Sequence, residues 1–484
     1  MGKNISIRKA SIIYAGAKYV TVFTGIIISA ILSRILTPDD YGVVAVVTVF
    51  TTFFSTLANL GLGTGIIQNK TLNQEDINSI YSFSVWIAFA LSGMLCIAAR
   101  PIAVFYNNEV YIPVCILLSV SVFFNAINMI PNSLLLKEQK FFNVGIRMIV
   151  SSVASGVVAI ILAFLGWKYY ALVCQSILLA AIQFLWNRWT VILRFKVRFS
   201  LCPIKKIANY SMNQFLYNII NMLAQNLDNL LTGKFMGSEQ LAYYNKSYTL
   251  MRYPVNNIPH AISPILHPIL SNYQDDKKYI YQKYIEIAKL ISLIGVFCFA
   301  IFHGMSEEIV IVMFGKQWYG AVESVHIFSW CIWAQLVNAL AGSIYQSLGN
   351  TKEMFHSGLV HVILTIAAII IGTSYKNIQI LSFTVMVSLN IKFIVESFYL
   401  VKKSFGFSVI TYWKTFLPEF IMMMIIAVVN TRLNCILSYN LMVRIIVKAI
   451  VLTTVIAILM GLFKQYRYIL PFIPKKLSKK RDKS

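Results

Sequence analysis

The sequence predicts an all-α polytopic membrane protein of about fourteen transmembrane helices, and three observations carry that reading. Hydrophobic residues fill 58% of the 484 positions and charged residues only 12%, with a mean hydropathy of +0.70. A chain of that composition has lipid as its main solvent. Its apolar residues also gather into long runs, each near the roughly 20 residues a helix needs to cross a hydrocarbon core. These runs lack the alternation of a membrane barrel.

The runs place spans near 11–36, 41–67, 79–104, 110–135, 143–165, 169–193 and 208–232. Seven more follow near 241–270, 285–313, 320–348, 355–374, 378–401, 416–433 and 440–463. If the N-terminus is cytoplasmic, the cytoplasmic segments hold 26 Lys and Arg. The external loops then hold four: Lys168, Lys234, Lys316 and Lys376. The positive-inside rule therefore predicts cytoplasmic N- and C-termini. Lys3, Arg8 and Lys9 lead into an apolar run without a small-residue cleavage site, so an uncleaved first helix is expected.

The formal net charge of +24 has the same origin as this asymmetry. Lys475, Lys476, Lys479, Lys480, Arg481 and Lys483 form a basic tail suited to anionic lipid headgroups; nucleic acid is not an expected partner. The seven cysteines are scattered without CxxC spacing, so no metal or redox site is expected. No GxxxxGK[ST] phosphate loop is present, no cofactor is expected, and the short connections leave no room for a soluble catalytic domain. The chain reads as a transporter rather than an enzyme.

Two pairs of segments suggest an internal repeat. Arg34–Gly42 parallels Gly233–Tyr244, and Leu135–Phe142 parallels Leu348–Phe355. Each offset skips six helices, an even number that preserves orientation. The expected organisation is a six-helix lobe over 1–193, a cytoplasmic linker over 194–207 and a second six-helix lobe over 208–403. Two additional helices over 404–463 and a basic tail over 464–484 complete it.

Charge inside the spans gives the first functional signal. Lys18, Arg147, Lys246, Arg252, Lys289, Lys392, Arg444 and Lys448 all fall within predicted limits. Ionised groups are costly at membrane depth and face a cavity, a partner or the interface. A basic interior suggests an anionic substrate. Lys18, Arg252 and Lys392 sit well inside their spans rather than in the last turn and are the candidate substrate-binding residues of a cationic vestibule. Snorkelling to an interface and pairing within a lobe are the alternatives. Lys392 and Glu396 are spaced to bond along one helical turn.

The seventh span carries Asn221, Gln225, Asp228 and Asn229 at three- and four-residue spacing, which makes one face polar. A cavity lining and an interhelical hydrogen-bond seam both fit; Asp228 is also a candidate for cation or proton coupling. Tyr243, Tyr244, Tyr248 and Tyr253 offer either sugar-stacking faces or packing, and Pro254, Pro259, Pro264 and Pro268 should bend the same helix. Asp39 and Asp40 lie in the first external loop, where a membrane glycosyltransferase keeps its acids. Thr37-Pro38-Asp39-Asp40 is equally a capped helix start.

The stretch Leu32-Ser-Arg-Ile-Leu-Thr-Pro-Asp-Asp-Tyr-Gly42, followed by Asn59-Leu-Gly-Leu-Gly63, resembles the opening of the bacterial polysaccharide flippase family. Gln225–Gly237 around Asp228, Ala242-Tyr-Tyr244, Pro254, Ile262–Ser271 and Gln346–Lys352 extend the resemblance in order over nearly the whole chain. His267 departs from the commoner pattern, and no role is carried over to it. That family shares a superfamily with multidrug and toxic-compound exporters and lipid II flippases. The resemblance implies a MATE-like fold of two six-helix lobes in a V.

It also implies translocation of an undecaprenyl-diphosphate-linked oligosaccharide from the cytoplasmic to the outer leaflet of the bacterial inner membrane. O-antigen, capsule and exopolysaccharide synthesis are the implied settings, and a polysaccharide polymerase and chain-length machinery the implied partners. Arg252 would then grip the diphosphate by a bidentate fork, with Lys18 and Lys392 acting as point charges. A cation-coupled multidrug antiporter on the same fold is the alternative, and a polytopic membrane glycosyltransferase a more distant one.

Overall fold

The computed structural model describes residues 7–59, 62–69, 72–204, 219, 222, 225–259, 270, 273–436 and 440–468. Among these residues every regular element is helical. The N-terminal half runs α1 (Ile7–Ile35), α2 (Pro38–Asn59), α3 (Leu62–Gln68), α4 (Gln74–Tyr106), α5 (Tyr111–Lys137), α6 (Phe141–Phe164) and α7 (Tyr169–Thr190), then α8 (225–236) and α9 (Ser238–Asn257). There follow α10 (Lys277–Gly304), α11 (Ser306–Phe314), α12 (Val322–Asn338), α13 (Ala341–Ser347), α14 (Thr351–Ser374) and α15 (Ile378–Ser397). The last are α16 (Val409–Thr415), α17 (Leu417–Ile436) and α18 (Leu441–Leu462).

Eleven helices are long and apolar enough to cross a membrane, and the pair α16 and α17, bent by 47°, makes a twelfth. These correspond to twelve of the fourteen spans read from the sequence. Of the remaining two, 208–232 is described only at 219, 222 and from 225 onward. The span at 241–270 is described as α9 up to Asn257, a helix rich in Tyr, Asn and Ser. Pro264, His267 and Pro268 lie outside the described residues, as do the tail cations beyond Tyr468.

Local chemistry sets the helix ends. Thr37 Oγ1 accepts from the Asp40 N–H at 3.2 Å, while Asp40 Oδ2 accepts from the Thr37 N–H at 3.0 Å and from its hydroxyl at 2.7 Å. This reciprocal box starts α2 and satisfies donors the helix leaves open. Asn73 and Asp76 do the same for α4, and Asn377 accepts from the N–H groups of Gln379 and Ile380 to start α15. The predicted span at 285–313 is in fact two helices, α10 and α11, divided at Met305. Glu307 and Glu308 fill the first turn of α11, where carboxylates favour the positive end of the helix dipole.

The chain divides into two compact units, Met1–Ala242 with Met313–Gln317, and Tyr243–Val312 with Trp318–Ser484. In the first, α1 packs on α6, α4 on α5, and α7 on both α5 and α6. Leu32, Val46, Val47, Leu95, Val114 and Val122 form part of its buried core. The starts of α2 and α9 meet there so closely that a Cβ on Gly42 would stand 1.9 Å from Ser238 O. In the second unit α10 packs on α12, α12 on α15, and α14 on α15. Trp333 is buried at its centre and donates from Nε1 to Ser292 Oγ at 2.8 Å.

Candidate functional site

The packing of α14 against α15 brings polar groups together in a repeating order. The two helices run antiparallel across the short turn at 375–377, so residues stepping up one face each step down the other. Ser357 Oγ donates to Glu396 Oε2 at 3.0 Å. One turn along, His361 lies within electrostatic reach of Lys392. A further turn along, Thr365 Oγ1 stands 3.3 Å from His361 Nδ1 and 3.4 Å from Ser388 Oγ. Thr384 Oγ1 then donates to Ala368 O at 2.8 Å. At the end of this ladder a Cβ on Gly372 would come 2.7 Å from Leu381 Cα, so only glycine allows the helices to approach so closely.

Arg252 joins this seam from α9. It is close enough to Lys392 for the two cations to repel one another, and its guanidinium lies 5.6 Å from the Tyr248 ring centroid. A cation over an aromatic face is held without being neutralised. Neither Arg252 nor Lys392 makes an ion pair among the described residues. Lys392 and Glu396, spaced for an ion pair along one turn, attract each other through space, but the carboxylate's hydrogen bond goes to Ser357 instead. The second unit thus holds Arg252, Lys392 and His361 within electrostatic reach of one another through Lys392, with Glu396 the carboxylate beside them among the described residues.

The other intramembrane cations are engaged differently. Lys289 is bonded to Glu419 and donates to Thr415 O at 2.8 Å, with both charged side chains almost wholly enclosed. Lys448 donates to Glu308 Oε1 at 2.6 Å and to Gly304 O at 2.9 Å. Arg444 spans Glu307 at 2.8 Å and Glu308 at 2.5 Å. Lys246 is buried, with its Nζ 5.3 Å from the Trp318 ring centroid. In the first unit Arg147 is buried without a carboxylate. Its Nη1 donates to Asn132 Oδ1 at 2.9 Å and Asn187 Oδ1 at 2.6 Å, and Asn187 in turn donates to Asn128 at 2.7 Å. Lys18, also in the first unit, is exposed on α1 and makes no hydrogen bond or ion pair among the described residues.

The polar face of the seventh span is described in part. Asn221 lies outside the described residues. Gln225 is exposed, Asn229 half-buried and Asp228 buried, so these side chains do not share one environment. Asp228 Oδ1 accepts from the Asn229 N–H at 2.8 Å. Asp39 and Asp40 are both bonded at helix starts: Asp39 to the Ser238 hydroxyl, and Asp40, besides its cap, to the Tyr169 N–H at 3.2 Å. Tyr244 is fully buried and stacks on Tyr248 at 5.9 Å, so its face is used in packing.

His361 is the residue that the sequence reading passed over. Its signal was present, because Ser357, His361 and Thr365 recur every four residues on α14 as Ser388, Lys392 and Glu396 do on α15. Two such faces in helices joined by a short turn are placed to meet.

A helical membrane protein of two units with an unneutralised basic seam is the class that this geometry defines. The chain belongs to a family described as polysaccharide biosynthesis protein, whose model matches residues 31–323. It is similar to the teichuronic acid biosynthesis protein TuaB of Bacillus subtilis (strain 168), at 20% identity over 71% of this chain and 73% of that one. It is also similar to the lipopolysaccharide biosynthesis protein WzxC of Escherichia coli (strain K12), at 22% identity over 76% of each. Among solved structures, the lipid II flippase MurJ in an inward closed conformation superposes with a TM-score of 0.72 at 14% identity, covering 95% of this chain and all of that one. The chain has that fold.

Proposed function

We propose that the protein flips an undecaprenyl-diphosphate-linked oligosaccharide from the cytoplasmic to the outer leaflet of the bacterial inner membrane, for assembly of a surface polysaccharide. The observation that carries the reading is that Arg252, over the Tyr248 ring, and Lys392, on the polar α14/α15 seam that also holds His361, have no ion pair among the described residues. A diphosphate is the group that such a cluster is short of, and the glycan it bears cannot cross hydrocarbon unaided. Arg252 supplies a planar fork for phosphate oxygens and Lys392 a point charge. Lys18, exposed on α1 of the first unit, is a further candidate cation for the headgroup. The names of the relatives in polysaccharide synthesis and of the lipid II flippase support the same class of cargo.

The working cycle in this reading is alternating access of the lobes 1–193 and 208–403, joined by the linker 194–207. The helices of 404–463 ride on the second lobe, and both termini lie in the cytoplasm. Of the polar face proposed as a cavity lining, Gln225 and Asn229 are the described residues with solvent exposure, and the buried Asp228 is the candidate for coupling to a cation or proton. Anionic lipids hold the basic tail, and a polymerase with its chain-length partner receives the product.

The test is transbilayer movement of a labelled undecaprenyl-diphosphate oligosaccharide in proteoliposomes of the purified chain, beside empty liposomes and an organic-cation export assay. Movement of the glycan lipid is expected. Cation export without it, across several glycans, gives the chain to the antiporter reading.

A further inference from the structure

Glu396 has no role in the function proposed above, yet among the described residues it is the carboxylate that lies beside the basic seam. Its side chain is buried, accepts from Ser357 Oγ at 3.0 Å, and lies one turn from Lys392 on α15. The groups that face it from the packed helices are Ser357 of α14, Tyr345 of α13, Tyr284 of α10 and Tyr412 of α16. Tyr345 brings a buried hydroxyl without a geometric hydrogen bond of its own. All four are uncharged side chains, and Lys392, one turn away on α15, is the cation that acts on Glu396; Arg252 and His361 lie within electrostatic reach of Lys392.

We propose that Glu396 is a proton-linked counter-ion: it balances Lys392 when the seam is empty and takes up a proton when a diphosphate binds at Lys392 and Arg252. The inference rests on the headgroup reading above. An arriving diphosphate takes up the charge of Lys392, which otherwise acts on Glu396 only through space, and sets two or more negative charges near a carboxylate in a poorly solvated site. Like charge and burial both favour the neutral acid. The proton comes from water and joins a carboxylate oxygen, with no other bond made or broken. Ser357 suits both states, because a hydroxyl donates to the carboxylate and accepts from the acid. When the headgroup leaves, the charge of Lys392 again acts on Glu396 alone and the proton returns to water.

The sign of the linkage follows. If binding takes up a proton, affinity rises as pH falls, by up to about tenfold per pH unit for one proton. Direct coupling of the two sites requires nothing of Asp228.

The experiment is calorimetric titration of the purified full-length chain with undecaprenyl diphosphate, in buffers of different ionisation enthalpy and at two pH values. The wild type is expected to take up close to one proton more than Glu396→Gln, whose affinity no longer declines with rising pH. Glu396→Asp should keep the uptake and guards against a folding artefact, and His361→Asn should keep it too. Uptake that persists in Glu396→Gln, that disappears in His361→Asn, or that is absent from a wild type that binds, overturns the counter-ion and leaves the headgroup reading standing. Failure of the wild type to bind overturns both.

Discussion

Two regions of the second unit hold cations within or beside membrane-spanning helices and engage them in opposite ways. Around α10, α11, α17 and α18, each of Lys289, Arg444 and Lys448 meets a carboxylate directly. Along the α14/α15 seam, Lys392 and Arg252 meet none, and the nearby Glu396 is bonded to a hydroxyl. Charge is common to both regions, so it does not by itself separate them; in the function proposed above, the cations of this seam that lack a carboxylate partner are the ones that serve the cargo. The first region fastens the additional helices of 404–463 to α10 and α11, and the second is left with charge to offer.

The largest effect comes from breaking the fastened region. Glu308→Ala leaves Lys448 buried with only Gly304 O and removes a contact of Arg444. The loss should be about 3–5 kcal/mol, typical of a buried pair deprived of one partner. Membrane abundance and thermal unfolding in detergent will report it. Replacing both partners at once sharpens the contrast. Lys289→Met with Glu419→Met should regain near-normal stability, because an apolar pair of similar volume avoids the desolvation of two charges. Its transport per molecule should equal that of the wild type.

Arg252→Ala and Lys392→Ala should behave in the reverse way, with normal abundance and translocation at least about tenfold slower, a loss of about 1.4 kcal/mol. If both variants, together with Lys18→Ala, transport normally, the cationic-vestibule assignment is wrong. A smaller change, about 1 kcal/mol, is expected for Asp40→Ala through loss of the α2 cap, seen as a modest fall in the unfolding midpoint without loss of transport per molecule. Asp228→Asn tests the remaining coupling candidate: a changed response to an imposed proton or sodium gradient would support that role, and an unchanged one would leave the acid structural.

The sequence made the helices legible because each span announces itself by composition alone. The twelve that can be compared agree with their runs to within a few residues at most ends, and the Thr37–Asp40 box was readable as a local motif. The division of α10 from α11 was not, since Met305 interrupts an apolar run without a proline and the acids that follow also suit an ordinary span end. The ion pairs were hidden for a different reason. Lys289 and Glu419 are separated by 130 positions and Lys448 and Glu308 by 140, and nothing local links them. Arg252 and Lys392 were singled out by depth, but their convergence is a tertiary fact. His361 was readable from its four-residue spacing with Ser357 and Thr365, once α14 and α15 are taken as one hairpin.

The central claim is that unneutralised cations serve the cargo and neutralised ones the fold. The most direct measurement compares the Lys392→Gln protein with the Lys289→Met, Glu419→Met double variant in the proteoliposome assay, each reconstituted at equal folded amount with labelled undecaprenyl-diphosphate oligosaccharide. The account predicts wild-type translocation in the double variant and a loss of at least about tenfold in Lys392→Gln. Equal rates in the two, or a loss confined to the double variant, would contradict it.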